Sequence, residues 1–158
     1  GLAAAGTATA ATYTLTNAAA TISWDVANNW NPNSAFPNAV DDVAIIPWQS
    51  GADPQTYNMN QQITLGTLTD LAGQGRNYNV GSAGSLKFQV SSGKARYDVY
   101  TLPSKTFNCP VTLASDLAIN NTYWWYSSIY GATALYLSGA ISGQGNLEKN
   151  TSPLIPVG

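Results

Sequence analysis

Histidine is absent from this chain of 158 residues, cysteine occurs once, and charge is scarce. Without His there is no ordinary imidazole general base, no Ser-His or Cys-His nucleophile pair, and none of the commonest zinc ligand. A single thiol, Cys109, excludes an internal disulfide framework and a Cys-based zinc site. It lies in the apolar stretch 107–113 and reads as a small buried hydrophobe, with intermolecular pairing as the alternative. Lys, Arg, Asp and Glu make up 9% of the chain and leave a net charge of -2, where an average soluble domain carries roughly 25% charged residues. No basic field is available to hold phosphates or anionic headgroups, so no nucleic acid partner is expected. No apolar run approaches the roughly eighteen residues of a membrane helix, so no membrane insertion is expected either. Helical periodicity is missing as well, because Gly or Pro interrupts the chain every few residues.

What remains is apolar residues alternating with Thr, Ser, Asn and Tyr, the pattern of half-buried strands. The clearest expected strands span 11–16, 42–46, 63–68, 78–80, 86–90, 97–102, 110–113, 117–120 and 134–137. Such short strands with polar turns suit a sandwich, a barrel or a solenoid. A loose phrase separates these options: a Gly-containing turn, a small residue, then Leu, a polar residue and an apolar one. It occurs at Leu65-Gly66-Thr67-Leu68-Thr69, at Gly84-Ser85-Leu86-Lys87-Phe88 and at Gly143-Gln144-Gly145-Asn146-Leu147. Repetition of this kind favours a right-handed parallel β-helix, in which each coil buries its apolar face on the next, with a β-sandwich as the alternative.

Three regions follow. Residues 1–21 form a Thr- and Ala-rich arm offered to a neighbour's sheet, with Tyr13 and Leu15 as its contact residues. Its opening, Gly1-Leu2-Ala3-Ala4-Ala5-Gly6, is expected to be what remains after a signal peptide is removed. Residues 22–47 hold Trp24, Trp30 and Phe36 and read as a Trp-rich N-terminal cap over the open end. Residues 48–158 are the irregular coils.

The order Ser23-Trp24-Asp25, Asn29-Trp30-Asn31-Pro32-Asn33, then Phe36-Pro37-Asn38-Ala39-Val40-Asp41-Asp42 before an apolar strand, resembles the opening of secreted bacterial proteins with autotransporter-associated β-strand repeats. The later Leu135-Tyr136-Leu137-Ser138-Gly139-Ala140-Ile141-Ser142-Gly143-Gln144-Gly145-Asn146-Leu147-Glu148-Lys149 is similar to the repeat itself. The resemblance covers about 24–149, firm at the two ends and loose between, and the chain departs from the pattern after Lys149. It implies a β-helix at the cell surface or in an extracellular fibre, with adhesive or structural roles and no general enzymatic activity.

Candidate chemistry is sparse. Asp41 and Asp42 are neighbours on a strand entry and would point to opposite faces, which prevents joint catalysis on one substrate. They read as turn residues, and with Asp25 they are the candidate oxygen ligands for calcium. Gly73-Gln74-Gly75 and Gly143-Gln144-Gly145 lack the third Gly and the helix of a phosphate loop and read as turns. The aromatic run Tyr123-Trp124-Trp125-Tyr126, with Trp48, Tyr57 and Tyr130, offers three roles: internal packing, a protein contact, or stacking on sugar rings. The expectation is a secreted, non-enzymatic structural protein without cofactors that assembles with copies of itself. An adhesive module binding polysaccharide is the alternative.

Overall fold

Alternation of buried and outward residues defines the strands of this protein, whose computed structural model describes residues 9–48, 54–71, 76–80, 84–99, 105–121 and 135–151. The described strands are β1 (Thr12–Leu15), β2 (Thr21–Ser23), β3 (Trp30–Asn31), β4 (Val43–Ile46), β5 (Gln55–Met59), β6 (Gln62–Leu65), β7 (Thr67–Asp70), β8 (Arg76–Val80), β9 (Ser85–Phe88), β10 (Ala95–Val99), β11 (Lys105–Phe107), β12 (Val111–Leu113), β13 (Leu117–Asn121), β14 (Leu135–Leu137), β15 (Ile141–Gly143) and β16 (Leu147–Thr151). The chain is all-β: among the described residues the only helical element is the 3-10 turn Ala27–Asn29.

The strands form three sheets, ordered β16-β13-β10-β7-β4-β1-β3, β14-β11-β8-β5-β2 and β15-β12-β9-β6. From β4 onward the chain visits the seven-, five- and four-stranded sheets in strict rotation, so each circuit lays one strand on each sheet beside its predecessor. Every described pairing is parallel except β1 with β3. Parallel pairing in register stacks like on like. One inward column of the five-stranded sheet runs Ile22, Tyr57, Tyr78, Phe107, Leu137. Its rings form a file: Tyr57 and Tyr78 lie 5.3 Å apart and Tyr78 and Phe107 4.4 Å apart at 8°. Tyr97 meets Phe107 edge-on at 5.2 Å, and Trp24 and Trp30 extend the file beyond Tyr57. Offset-stacked and edge-to-face rings add about 0.5–1.5 kcal/mol per pair beyond the area they bury.

Polar groups inside this core are held by partners. Gln55 accepts from the Tyr57 hydroxyl at 2.9 Å and donates to the Ala19 carbonyl at 3.1 Å. Tyr78 donates to Asp70 at 2.9 Å, and Lys105 Nζ lies 3.7 Å from the same carboxylate with both charged side chains fully buried. Burial, reinforced by the Asp70 charge, drives the Tyr78 phenol well above its ordinary range. The Asp70–Lys105 pair links β7 to β11 across the interior, with no exposed surface on either side chain.

At the N-terminal end, Trp24 donates to the Pro37 carbonyl at 3.2 Å and Trp30 to the Trp24 carbonyl at 2.8 Å. Both indoles are buried. The antiparallel strand β3 ends the seven-stranded sheet, and Asn38 accepts the Thr64 backbone N–H at the edge of β6. The segment 22–47 contains β3 and β4 and shares β2.

Two expectations need correction. The arm is not given to a neighbour over its strand portion: β1 pairs with β3 and β4 of its own chain, and Tyr13 and Leu15 are buried in the core instead of serving as contacts. The physical reason is that alternate residues of this arm carry apolar side chains that the core itself accepts. The expected strand 63–68 is two strands, because the chain turns a corner at Gly66, where an added Cβ would stand 2.6 Å from the Asp41 Cα.

Candidate functional site

The three sheets all end in the same circuit. β14, β15 and β16 are each the terminal strand of their sheet, so on their far side no described strand pairs with them. Inward positions that are sealed lower in the stack open here. Ile141 and Leu147 are 47% and 45% exposed, whereas Val111 and Leu117, their partners one circuit below, are 4% exposed. With half-buried Leu135 and Leu137 they line a shallow apolar pocket together with Phe107 and Leu113.

The last circuit repeats the one beneath it with regular spacing. Lys105↔Leu135, Val111↔Ile141 and Leu117↔Leu147 each pair residues thirty apart, on all three sheets. Earlier circuits are uneven, from twenty-one residues at Gln55↔Arg76 to thirty-five at Thr21↔Thr56. Side chains follow the register. Asn150 donates to Asn120 at 3.0 Å and Asn120 to Asp98 at 2.7 Å, a polar ladder on the outside of the seven-stranded sheet. At the corner before it, the backbone N–H of Asn146 donates to Asp116 at 2.8 Å, which holds that carboxyl below its ordinary range. Lys94, just before β10, pairs with Glu148 of β16, raising the amine and lowering the acid.

Lys149 occupies a column that otherwise reads Ala44, Leu68, Tyr97, Ile119. It is exposed at the rim. A charge on an edge strand limits indiscriminate pairing there.

The calcium candidates are not brought together. Asp42 accepts the backbone N–H groups of Ala11 and Asn38, both at 3.0 Å, and so ties the arm to the cap. Asp41, at φ 69°, accepts the Ser91 N–H at 2.8 Å. Asp25 accepts from Asn60. Each carboxylate is committed to a different partner, and among the described residues no group of three or more acidic or thiol ligands could hold a metal. The turn reading of Asp41 and Asp42 accounts for the geometry.

Tyr123, Trp124, Trp125, Tyr126 and Tyr130 lie outside the described residues, as do Gly73-Gln74-Gly75. Of the aromatics grouped with them, Tyr57 is fully buried while Trp48 is 67% exposed. Gly143-Gln144-Gly145 forms a corner, as expected: Gly143 has φ 109°, and a Cβ there would stand 2.2 Å from the Leu113 carbonyl oxygen. Cys109 is buried, and burial pushes its thiol up to about 11, consistent with an inert packing residue. No described helix is long and apolar enough to cross a membrane.

Sequence reasoning missed the uncovered end. Its signal was present as a spacing of thirty between Leu117 and Leu147 and between Asn120 and Asn150, but Lys105 and Cys109 face Leu135 and Gly139, which hides the repeat. Comparison with protein-family models, with curated proteins and with solved structures finds no match to this chain.

Proposed function

We propose that this chain is a right-handed parallel β-helix serving as a subunit or segment of an extracellular structural fibre, akin to proteins with autotransporter-associated β-strand repeats. Strict rotation through three parallel sheets supports the helix over a sandwich, and right-handed crossovers are the rule for parallel strands. The observation that supports the functional reading is that, among the described residues, β14, β15 and β16 have no strand on their far side and leave Ile141 and Leu147 exposed. An unpaired parallel strand edge accepts further polypeptide, and a copy of the same chain is the partner we propose. The role requires no catalytic group and no cofactor, and secretion is part of the proposal.

Negative-stain microscopy of the purified chain, paired with its light-scattering mass across a concentration series, tests the reading. Assembly through the coil end is expected. A monomer at every concentration refutes it. The second reading, an adhesive carbohydrate-binding module, has the exposed Trp48 in its favour. It predicts that Trp48→Ala, or the pair Trp124→Ala and Trp125→Ala, abolishes retention on polysaccharide columns without loss of fold.

A further inference from the structure

We propose that the buried side chains of Lys105 and Asp70 condense to an intramolecular amide, a covalent cross-link between two circuits, with the Tyr78 hydroxyl assisting the step. The bond lies within one chain, so it forms whether or not the chain assembles.

The positions of three groups lead to this chemistry. Asp70 ends β7 and stands in an inward column between Ile46 and Val99, both buried and apolar. Lys105 opens β11, in the five-stranded sheet and one circuit further on. Neither side chain has any exposed surface, and Nζ lies 3.7 Å from Oδ1. Reacting atoms in a near-attack arrangement stand roughly 3–3.5 Å apart, and the flexible lysine stem can close the remainder. Both parent strands are interior to their sheets, β7 between β4 and β10 and β11 between β8 and β14, so the backbone holds the two groups together.

Burial penalises both charges of such a pair. Passing one proton from the ammonium to the carboxylate removes both at once and leaves an amine nucleophile beside a carboxylic acid. Tyr78 donates to Oδ2 at 2.9 Å, and burial keeps its phenol protonated. A donor on that oxygen polarises the carboxyl and stabilises the negative charge it gains when Cγ becomes tetrahedral. The amine lone pair then forms the Nζ–Cγ bond, the Cγ–Oδ1 bond breaks, and Oδ1 leaves as water with the acid proton and one amine proton. No oxidant or co-reactant is consumed. The amide is neutral and suits apolar surroundings that two charges do not. It ties the seven-stranded sheet to the five-stranded sheet and the β7 circuit to the β10 circuit. A pull along the stack therefore meets a covalent bond there as well as hydrogen bonds.

Intact-mass spectrometry of the denatured 158-residue chain reads the bond directly. Loss of one water from the sequence mass is expected, and Lys105→Met and Asp70→Ala should each show their full mass. Trypsin acting on the denatured chain locates the link: with Lys105 blocked, it should release segment 97–149 joined to segment 1–76. Tyr78→Phe, which keeps the ring that stacks on Phe107, should leave a larger unlinked fraction, and an unchanged fraction removes Tyr78 from the step. An unaltered chain at its full sequence mass, cut by trypsin after Lys105, overturns the cross-link, and that result depends on no variant folding. A lost water that maps to residues other than Asp70 and Lys105 overturns it equally.

Discussion

Replacing Phe107 tests whether the file of rings is what holds the circuits together. Phe107 is 2% exposed, stacks on Tyr78 at 4.4 Å and 8°, and receives Tyr97 edge-on at 5.2 Å. Truncation to Ala removes the apolar burial of a full aromatic side chain and leaves a cavity, which costs about 3–5 kcal/mol. Two ring contacts account for about 1–3 kcal/mol of that at 0.5–1.5 each. Leu is the informative control, because Leu137 already occupies the same column one circuit further on. Phe107→Leu keeps most of the apolar volume and loses only the ring geometry, so about 1–2 kcal/mol is expected. For a chain of this length each kcal/mol moves Tm by roughly 2–4 °C, so Ala should lower Tm by roughly 6–20 °C and Leu by a few degrees. Thermal unfolding followed by near-ultraviolet circular dichroism reads both. Since stacked circuits unfold by nearest-neighbour steps, hydrogen exchange should show the loss of protection concentrated in β11, β13 and β14, next to the uncovered end, with β4 and β5 little changed. Equal losses for Ala and Leu, or an Ala variant within 1 kcal/mol of the parent, would refute the stacked file as a principal source of stability.

Other expectations follow from single contacts. Gly139→Ala places a Cβ 2.0 Å from the Cys109 carbonyl oxygen, forcing the last circuit away from the one below; a loss of about 1–3 kcal/mol is expected, whereas Gly93→Ala, with open space around it, should cost mainly through its φ of 76°. Asp42→Ala strips the acceptor from the Ala11 and Asn38 N–H groups, and should cost about 2–4 kcal/mol with increased exchange at those two amides. The Cys109 thiol should resist disulfide reagents until the chain unfolds, and native stability should decline as pH rises from 9 towards 11. The sign follows from linkage: in that window the unfolded thiol releases its proton while the folded one keeps it, so alkali favours unfolding, by about 2–3 kcal/mol in total. The buried Tyr78 adds to this trend above pH 10, and its phenolate absorbance should appear only with unfolding.

Much of this architecture was legible in the residues. Alternation at Thr12–Leu15 and Ser85–Phe88 marks strands because one face of each must be apolar and the other wet, while Val43–Ile46 reads as a short continuous apolar run. The scarcity of charge and the lack of His narrowed the chemistry before any fold was known. The Gly corners were visible as punctuation, although only the stacked backbones reveal why Gly66 and Gly143 tolerate no side chain. Strand β5 was hidden, since Gln55, Thr56 and Asn58 look like loop residues until Gln55 is seen bonded to Tyr57 inside the core. Composition could not reveal the fate of the arm either. Tyr13 and Leu15 suit a neighbour's sheet as well as their own, and tertiary packing chose their own. Local pattern is set by each residue's preference for water or its neighbours, and the sequence alone carries that. Which strand lies against which depends on contacts between residues twenty to thirty-five apart. Only the folded stack could therefore show that both indoles are buried beside β3 while, among the described residues, β14, β15 and β16 have no strand on their far side and leave Ile141 and Leu147 exposed.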